Sequence, residues 1–195
     1  MKGLAIKNKM KNMKKMMLSL SCVAIAMAGY AHQTGMVCNA ATAVDAMVST
    51  VQQTYPAREG DMAPDFVLKD INGNDLSLSS LRGKYVVIDF WGSWCGWCIK
   101  GMPEMKKYYA KYADRMEILG IDCGDSDQQW KEAVAKHQLP WKHVYNPRES
   151  KLLASYGIEG FPTKMVIDPQ GKTVKIVVGE DPVFYTFLDQ LFTAQ

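Results

Sequence analysis

The first 31 residues of this 195-residue chain contain six lysines and not one aspartate or glutamate. The lysines all fall within Met1–Lys15, and Met16–Ala31 is almost wholly apolar or small. A basic stretch followed by an apolar one is the pattern of a secretory signal, with Ala26-Met27-Ala28 or Gly29-Tyr30-Ala31 as the cleavage context. The apolar stretch lacks the roughly 20 residues a spanning helix needs. A cleaved signal over 1–31 is therefore expected, with an uncleaved inner-membrane anchor as the alternative. The basic balance goes with that segment: the whole chain is formally +3, and without the six lysines the remainder is −3. Nothing then favours nucleic-acid binding. Cysteine is scarce too. Beyond the signal only Cys38, Cys95, Cys98 and Cys123 remain, too few for a disulfide scaffold in an exported domain. There is no second C-x-x-C and no paired histidine pattern, so a four-ligand zinc site finds no support. Ile99, not histidine, follows Cys98, which disfavours covalent c-type haem. Internal repeats and low-complexity tracts are absent. No metal and no cofactor is implied.

The one cysteine pair that is present carries the information. Trp94-Cys95-Gly96-Trp97-Cys98 follows directly on Tyr85-Val86-Val87-Ile88-Asp89-Phe90, an apolar β-branched run that reads as a buried strand. A helical pattern runs from the motif to about Tyr112. Two cysteines in the first turn of a helix suit redox chemistry, because the unpaired N–H groups and partial positive charge there favour thiolate over thiol. Ahead of this unit, 32–60 reads as a linker with a short helix over 43–53, and a domain spans 61–195. Phe66–Lys69 and Leu76–Leu78 are strand candidates around an Asn72-Gly73-Asn74 turn. A strand at Ile118–Ile121, a helix at Ser126–His137, a strand at His143–Tyr145 and a helix at Glu149–Tyr156 capped by Gly157 follow. Lys164–Ile167 and Thr173–Val178 then pair, and Asp181-Pro182 opens the last helix. The alternation predicts an α/β sandwich around a mixed sheet, whose active groups gather beyond the carboxyl ends of its strands.

At this point the chain resembles the thioredoxin superfamily. Asp89-Phe90-Trp91 with Trp94-Cys95-Gly96-Trp97-Cys98 is similar to the thioredoxin active-site block. Pro103 stands where that family has its helix-kinking proline, and Gly160-Phe161-Pro162-Thr163 resembles its cis-proline loop. Ala63-Pro64-Asp65-Phe66 through Gly73, Leu81 and Gly83-Lys84 resembles the N-terminal hairpin of exported TlpA/ResA-type reductases, a lead-in shared with peroxiredoxins. The resemblance implies a three-layer sandwich with an N-terminal β-hairpin extension. It also implies roles: Cys95 as an exposed nucleophile, Cys98 as the buried resolving cysteine, and Asp89 as the proton acceptor during resolution. A hydrogen-bonded structural carboxyl is the alternative for Asp89. Trp94, Trp97, Phe161, Pro162 and Thr163 are the implied substrate-binding residues.

Three positions depart from the pattern. Trp97 replaces the proline common between the two cysteines. Gly101 replaces the acidic residue that ResA-type reductases carry three positions after the second cysteine. Thioredoxins pair their aspartate with a lysine on a neighbouring strand, and Ile118-Leu119-Gly120-Ile121 offers none. Cys123 reads as a packed free thiol, His137 and His143 as surface or helix-end residues, and Lys106, Lys107 and Lys111 as a solvated helix face. The resulting expectation is an exported, periplasmic, monomeric thiol–disulfide oxidoreductase. It would act on disulfide-bearing protein substrates in the reducing direction, drawing on a membrane electron donor, with cytochrome c maturation or general redox homeostasis as its role. A peroxiredoxin-type peroxidase is one alternative, weakened because Trp91-Gly92-Ser93-Trp94 lacks the Pro and Thr that precede a peroxiredoxin cysteine. A non-enzymatic metal- or haem-handling dithiol module is another.

Overall fold

The computed structural model describes residues 56–193. The expected signal, Cys38 and the helix over 43–53 lie outside the described residues. Those described form β1 (Val67–Asp70), β2 (Asp75–Ser77), a 3-10 turn at Ser79–Leu81, β3 (Tyr85–Trp91), α1 (Gly96–Tyr112), β4 (Met116–Cys123), α2 (Asp127–Lys136), β5 (Lys142–Asn146), α3 (Leu152–Tyr156), β6 (Thr163–Ile167), β7 (Thr173–Val178) and α4 (Pro182–Thr193). One seven-stranded sheet has the order β2-β1-β5-β4-β3-β6-β7. β3, β4 and β5 run parallel, and the other pairings are antiparallel.

β3 is buried on both faces from Val86 to Trp91, which is why it reads as a continuous apolar run and not as an alternation. Its side chains still divide by parity. Val87 and Trp91 join Met102 and Met105 of α1, Trp130 of α2 and Phe184 and Leu188 of α4 in one core. Val86, Ile88 and Phe90 join Leu119, Ile121, Met165 and the α3 residues Leu152 and Tyr156 in the other. Asp89 has the parity of Val87 and Trp91, so it lies on the α1 and α4 face. That assignment governs the site.

The ends of elements follow local chemistry. Gly73 takes φ 85° in the β1–β2 turn, and the Asp70 carboxylate accepts from Asn72 N and Asn74 N. Ser126 and Gln129 form a reciprocal capping box at the start of α2, the arrangement that satisfies two otherwise orphaned N–H groups. Gly157 caps α3 at φ 64°, and the Asp181 carboxylate accepts from Val183 N at 2.9 Å to open α4. α1 continues through Pro103 to Tyr112. β4 is longer than its apolar kernel suggested because β3 pairs with it over Tyr85–Trp91. α3 starts later than expected, after Ser150 N bonds Pro147 O in a separate turn. The chain is already packed at Ala57, which is buried and donates its N–H to Ser155 O.

Phe90 is fully buried and packs its ring 5.4 Å from that of Tyr156. Phe90→Ala is expected to lower the unfolding free energy by about 3–5 kcal/mol. Denaturant titration of the oxidised protein measures it, and a loss below about 1 kcal/mol contradicts this packing.

Candidate active site

Between the end of β3 and the start of α1, four contacts hold the loop. The two oxygens of the Asp125 carboxylate accept from Ser93 N and Ser93 Oγ, both at 2.7 Å. Trp94 Nε1 donates to Cys123 O at 2.9 Å, and its ring meets Phe161 edge-on at 5.2 Å. Gly92 makes this possible, because a Cβ there would collide with the Trp94 indole. Cys95 N bonds Gly92 O at 3.1 Å and leaves Cys95 as the extended N-cap of α1.

Cys95 and Cys98 are joined in a disulfide with Cα atoms 5.2 Å apart. Cys98 N donates to Cys95 Sγ at 3.1 Å. When the disulfide opens, the sulfur of residue 95 therefore sits where an N–H and the helix N-terminus both favour negative charge. The expectation of an exposed Cys95 needs correcting for this oxidised state: Cys95 is 6% exposed and Cys98 5%. Exposure belongs to the flanking indoles, with Trp94 at 56% and Trp97 at 61%. Lys100 Nζ sits 4.8 Å over the Trp97 ring.

The third layer of the site lies on the sheet. β3 pairs with β6 so that Asp89 stands opposite Lys164. The lysine absent from β4 is thus supplied by the strand on the other side. β4 has no room for one: Gly120 faces Asp89 from that strand, and any Cβ on it would run into the His143 ring. Lys164 is 2% exposed, and its Nζ bonds Glu180 Oε2 at 2.6 Å. Sequence reasoning missed both Lys164 and Glu180. A lysine inside an otherwise apolar strand, Thr163-Lys164-Met165-Val166-Ile167, was the available signal. Burial pushes the Asp89 carboxyl up to about 6, the Lys164 charge pulls it back and Glu180 adds to the rise. Asp89 Oδ1 is buried with no hydrogen-bond partner among the described residues. Near the loop, burial and the neighbouring Asp125 carboxylate push Asp122 up to about 8.

Phe161, Pro162 and Thr163 lie at the start of β6, beside the dithiol loop. The Phe161–Pro162 bond is cis, Thr163 Oγ1 donates to Gly160 O at 2.7 Å, and Gly179 N donates to Pro162 O at 2.7 Å. The structure thus brings Trp94 and Phe161 into contact and leaves Trp97 exposed, in contact with Lys100. Cys123 is a buried free thiol, and burial pushes its pKa up. His143 is not a surface residue. It is buried, with its ring centroid 6.1 Å from Trp91 and 5.9 Å from Trp141, and burial lowers its pKa to about 4. The lysine face on α1 is only partly solvated, since Lys106 bonds His137 O and Lys111 bonds Asp189. Among the described residues no three His, Cys, Asp or Glu side chains gather to hold a metal ion.

The model of the AhpC/TSA family matches residues 59–176. The thiol-disulfide oxidoreductase ResA of Bacillus thuringiensis is 37% identical over 122 residues, covering 62% of this chain and 70% of that protein. ResA of Bacillus subtilis is 35% identical over 122 residues, covering 62% and 68%. Among solved structures, the thioredoxin domain of a thiol-disulfide oxidoreductase from Bacteroides vulgatus superposes with a TM-score of 0.64 at 31% identity, covering 69% of this chain and 97% of that one. A thiol:disulfide interchange protein from Bacteroides sp. gives 0.64 at 32% identity, covering 70% and 91%.

The raised Asp89 pKa has a definite sign in stability. A carboxyl that binds its proton more tightly folded than unfolded stabilises the fold below its unfolded value and loses that stability as pH rises through about 6. His143 works the other way, losing stability as pH falls from its ordinary value toward about 4. A difference measurement separates them. Oxidised Asp89→Asn is expected to be about 3 kcal/mol more stable than the parent at pH 7.5, with the difference vanishing by about pH 3. Denaturant titration across pH tests this, and a pH-independent difference contradicts it.

Proposed function

The chain belongs to the AhpC/TSA family and is a thiol–disulfide oxidoreductase of thioredoxin-like fold; on that footing we propose that it reduces disulfides in proteins through Cys95 and Cys98. The observation that carries the proposal is the seating of Cys95 as N-cap of α1, its sulfur accepting from Cys98 N. In the reduced protein the Cys95 thiolate attacks one sulfur of a substrate disulfide. A Cys95–substrate bond forms, and the other substrate sulfur leaves as a thiolate. Cys98 then gives up its proton, Asp89 accepts it, and the Cys98 thiolate attacks Cys95. The internal disulfide closes, and the second substrate sulfur departs reduced.

Binding is assigned to the rim of the dithiol. Trp94, Trp97 and Phe161 offer apolar surface. The backbone about Phe161, Pro162 and Thr163 offers main-chain pairing to an extended segment, the mode that recognises a strand with little regard to its sequence. The resemblance to TlpA/ResA-type reductases favours the reducing direction, so electrons must be resupplied, and a membrane electron donor is the proposed source. The remaining proposals concern setting: residues 1–31 direct export to the periplasm or anchor the chain in the inner membrane, 32–60 link to a domain over 61–195, and the protein acts as a monomer. Apocytochrome cysteines are the first substrate class to try. A peroxidase reading is weaker, because the residues before Cys95 are two tryptophans with Gly and Ser between them.

Cys98→Ser is expected to accumulate a mixed disulfide between Cys95 and a disulfide-bearing protein, seen as a thiol-sensitive adduct by mass spectrometry. Cys95→Ser is expected to form none and to lose essentially all reductase activity. Reductase activity retained by Cys95→Ser would overturn the assignment.

A further inference from the structure

Glu180 follows β7, and three elements converge on its carboxylate. Lys164 of β6 bonds Oε2 at 2.6 Å, and Tyr185 OH of α4 donates to Oε1 at 2.6 Å. From α1 comes a gap: a Cβ built on Gly101 would overlap the Glu180 carboxylate. Glycine inside a helix is less stable than alanine by about 1 kcal/mol, and Gly101 has no positive φ that would call for it. The seat it leaves for Glu180 explains its presence. The carboxylate also borders a groove of about 460 Å³ between α1 and α4, which Lys100, Glu104 and Tyr108 line.

Charge is unequally shared in this cluster. Asp89 and Glu180 are two carboxylates beside one buried ammonium. Among the described residues Lys164 pairs with Glu180 alone, while one Asp89 oxygen has no hydrogen bond. Facing Asp89 are Lys164 from β6 and Glu180 and Tyr185 from the α4 side, with the Cys95–Cys98 pair in the same core and the neutral His143 ring of β5 beyond Gly120 of β4. Lys164 is the sole cation of that group. Burial makes Asp89 hard to ionise, and which carboxylate the lysine contacts then sets how far that penalty is offset.

We propose that Glu180 is a positioning residue for the resolving step: it draws the Lys164 ammonium to its own carboxylate, leaves Asp89 able to hold the proton of the Cys98 thiol, and depends on Gly101 for its seat. The proposal rests on the reading of Asp89 as proton acceptor. The balance is simple. Cys98 S–H breaks and its proton goes to Asp89. The Cys98 electron pair forms the bond to Cys95 Sγ, the Cys95–substrate bond breaks, and its pair leaves on the substrate sulfur. Asp89 then returns its proton to water. A lysine in contact with Asp89 would stabilise its carboxylate and make it the weaker base.

The test is the Asp89 carboxyl titration in the oxidised full-length protein, followed by NMR of carbon-13-labelled aspartate. Glu180→Gln releases Lys164 and is expected to lower the Asp89 midpoint by about 1 pH unit or more, with Glu180→Asp keeping it near the parent value. Gly101→Ala displaces the carboxylate without removing it, and is expected to shift the midpoint in the same direction. It carries the test if Glu180→Gln fails to fold. In a Lys164→Met background, Glu180→Gln is expected to shift the midpoint much less, because only the direct repulsion between the two carboxylates is then removed. An unmoved midpoint in Glu180→Gln, or an equal shift in the Lys164→Met background, overturns the proposal. Mixed-disulfide capture by Cys98→Ser is read in parallel. If capture fails while the midpoint moves, the exchange reading falls and the charge arrangement stands.

Discussion

The site is organised by the way β3 is paired, parallel to β4 on one side and antiparallel to β6 on the other. The parallel partner carries Cys123, whose carbonyl anchors Trp94, and leads into Asp125, whose carboxylate holds Ser93. The antiparallel partner begins at Thr163, so the Phe161–Pro162 loop falls beside the dithiol, and one step further along it sets Lys164 against Asp89. A shift of one residue in the β3–β6 register would send Lys164 to the other face of the sheet. The dithiol, its rim and its buried charges are consequences of one ladder.

Burial of charge beneath the disulfide is costly, and the protein concentrates that cost where chemistry needs it. An isolated ionised group in an apolar core is penalised heavily, while a paired one is tolerated. Lys164 and Glu180 meet that condition by bonding to each other at 2.6 Å, and Tyr185 satisfies the second Glu180 oxygen. Asp89 does not meet it. Its buried oxygen has no partner among the described residues, and it is held near the point where a proton can be taken or lost within the physiological range. The neighbouring loop is fixed just as firmly by the charge-assisted bonds to Ser93. The result is a hydrogen-bonded frame around an ambivalent carboxyl.

Much of this was legible in the sequence, and for identifiable reasons. The strand-then-motif-then-helix succession around Cys95 rests on local patterns, as do the turn at Gly73, the Gly157 cap and the Asp181-Pro182 helix start, and each was read correctly because each is decided within a few residues. His143 was misread as exposed because a lone histidine carries no periodic signal. Its burial between Trp91 and Trp141 is set by which strands are neighbours. Lys164 was missed for the same reason, since only the antiparallel register places it opposite Asp89. Glu180 was further out of reach, lying 16 residues beyond its lysine partner. Gly101 looked like a missing acidic group from the sequence. In three dimensions it is the space that another part of the chain fills with a carboxylate.

The central claim is that Cys95 and Cys98 form a reversible couple poised for reduction of other disulfides. Equilibrating the protein against defined thiol buffers and counting free thiols gives the reduction potential of that couple directly. A value near about −270 mV, in the range of thioredoxin, is the result expected of a reductase with its own electron supply. A value near about −120 mV would make the protein a donor of disulfides and would contradict the account.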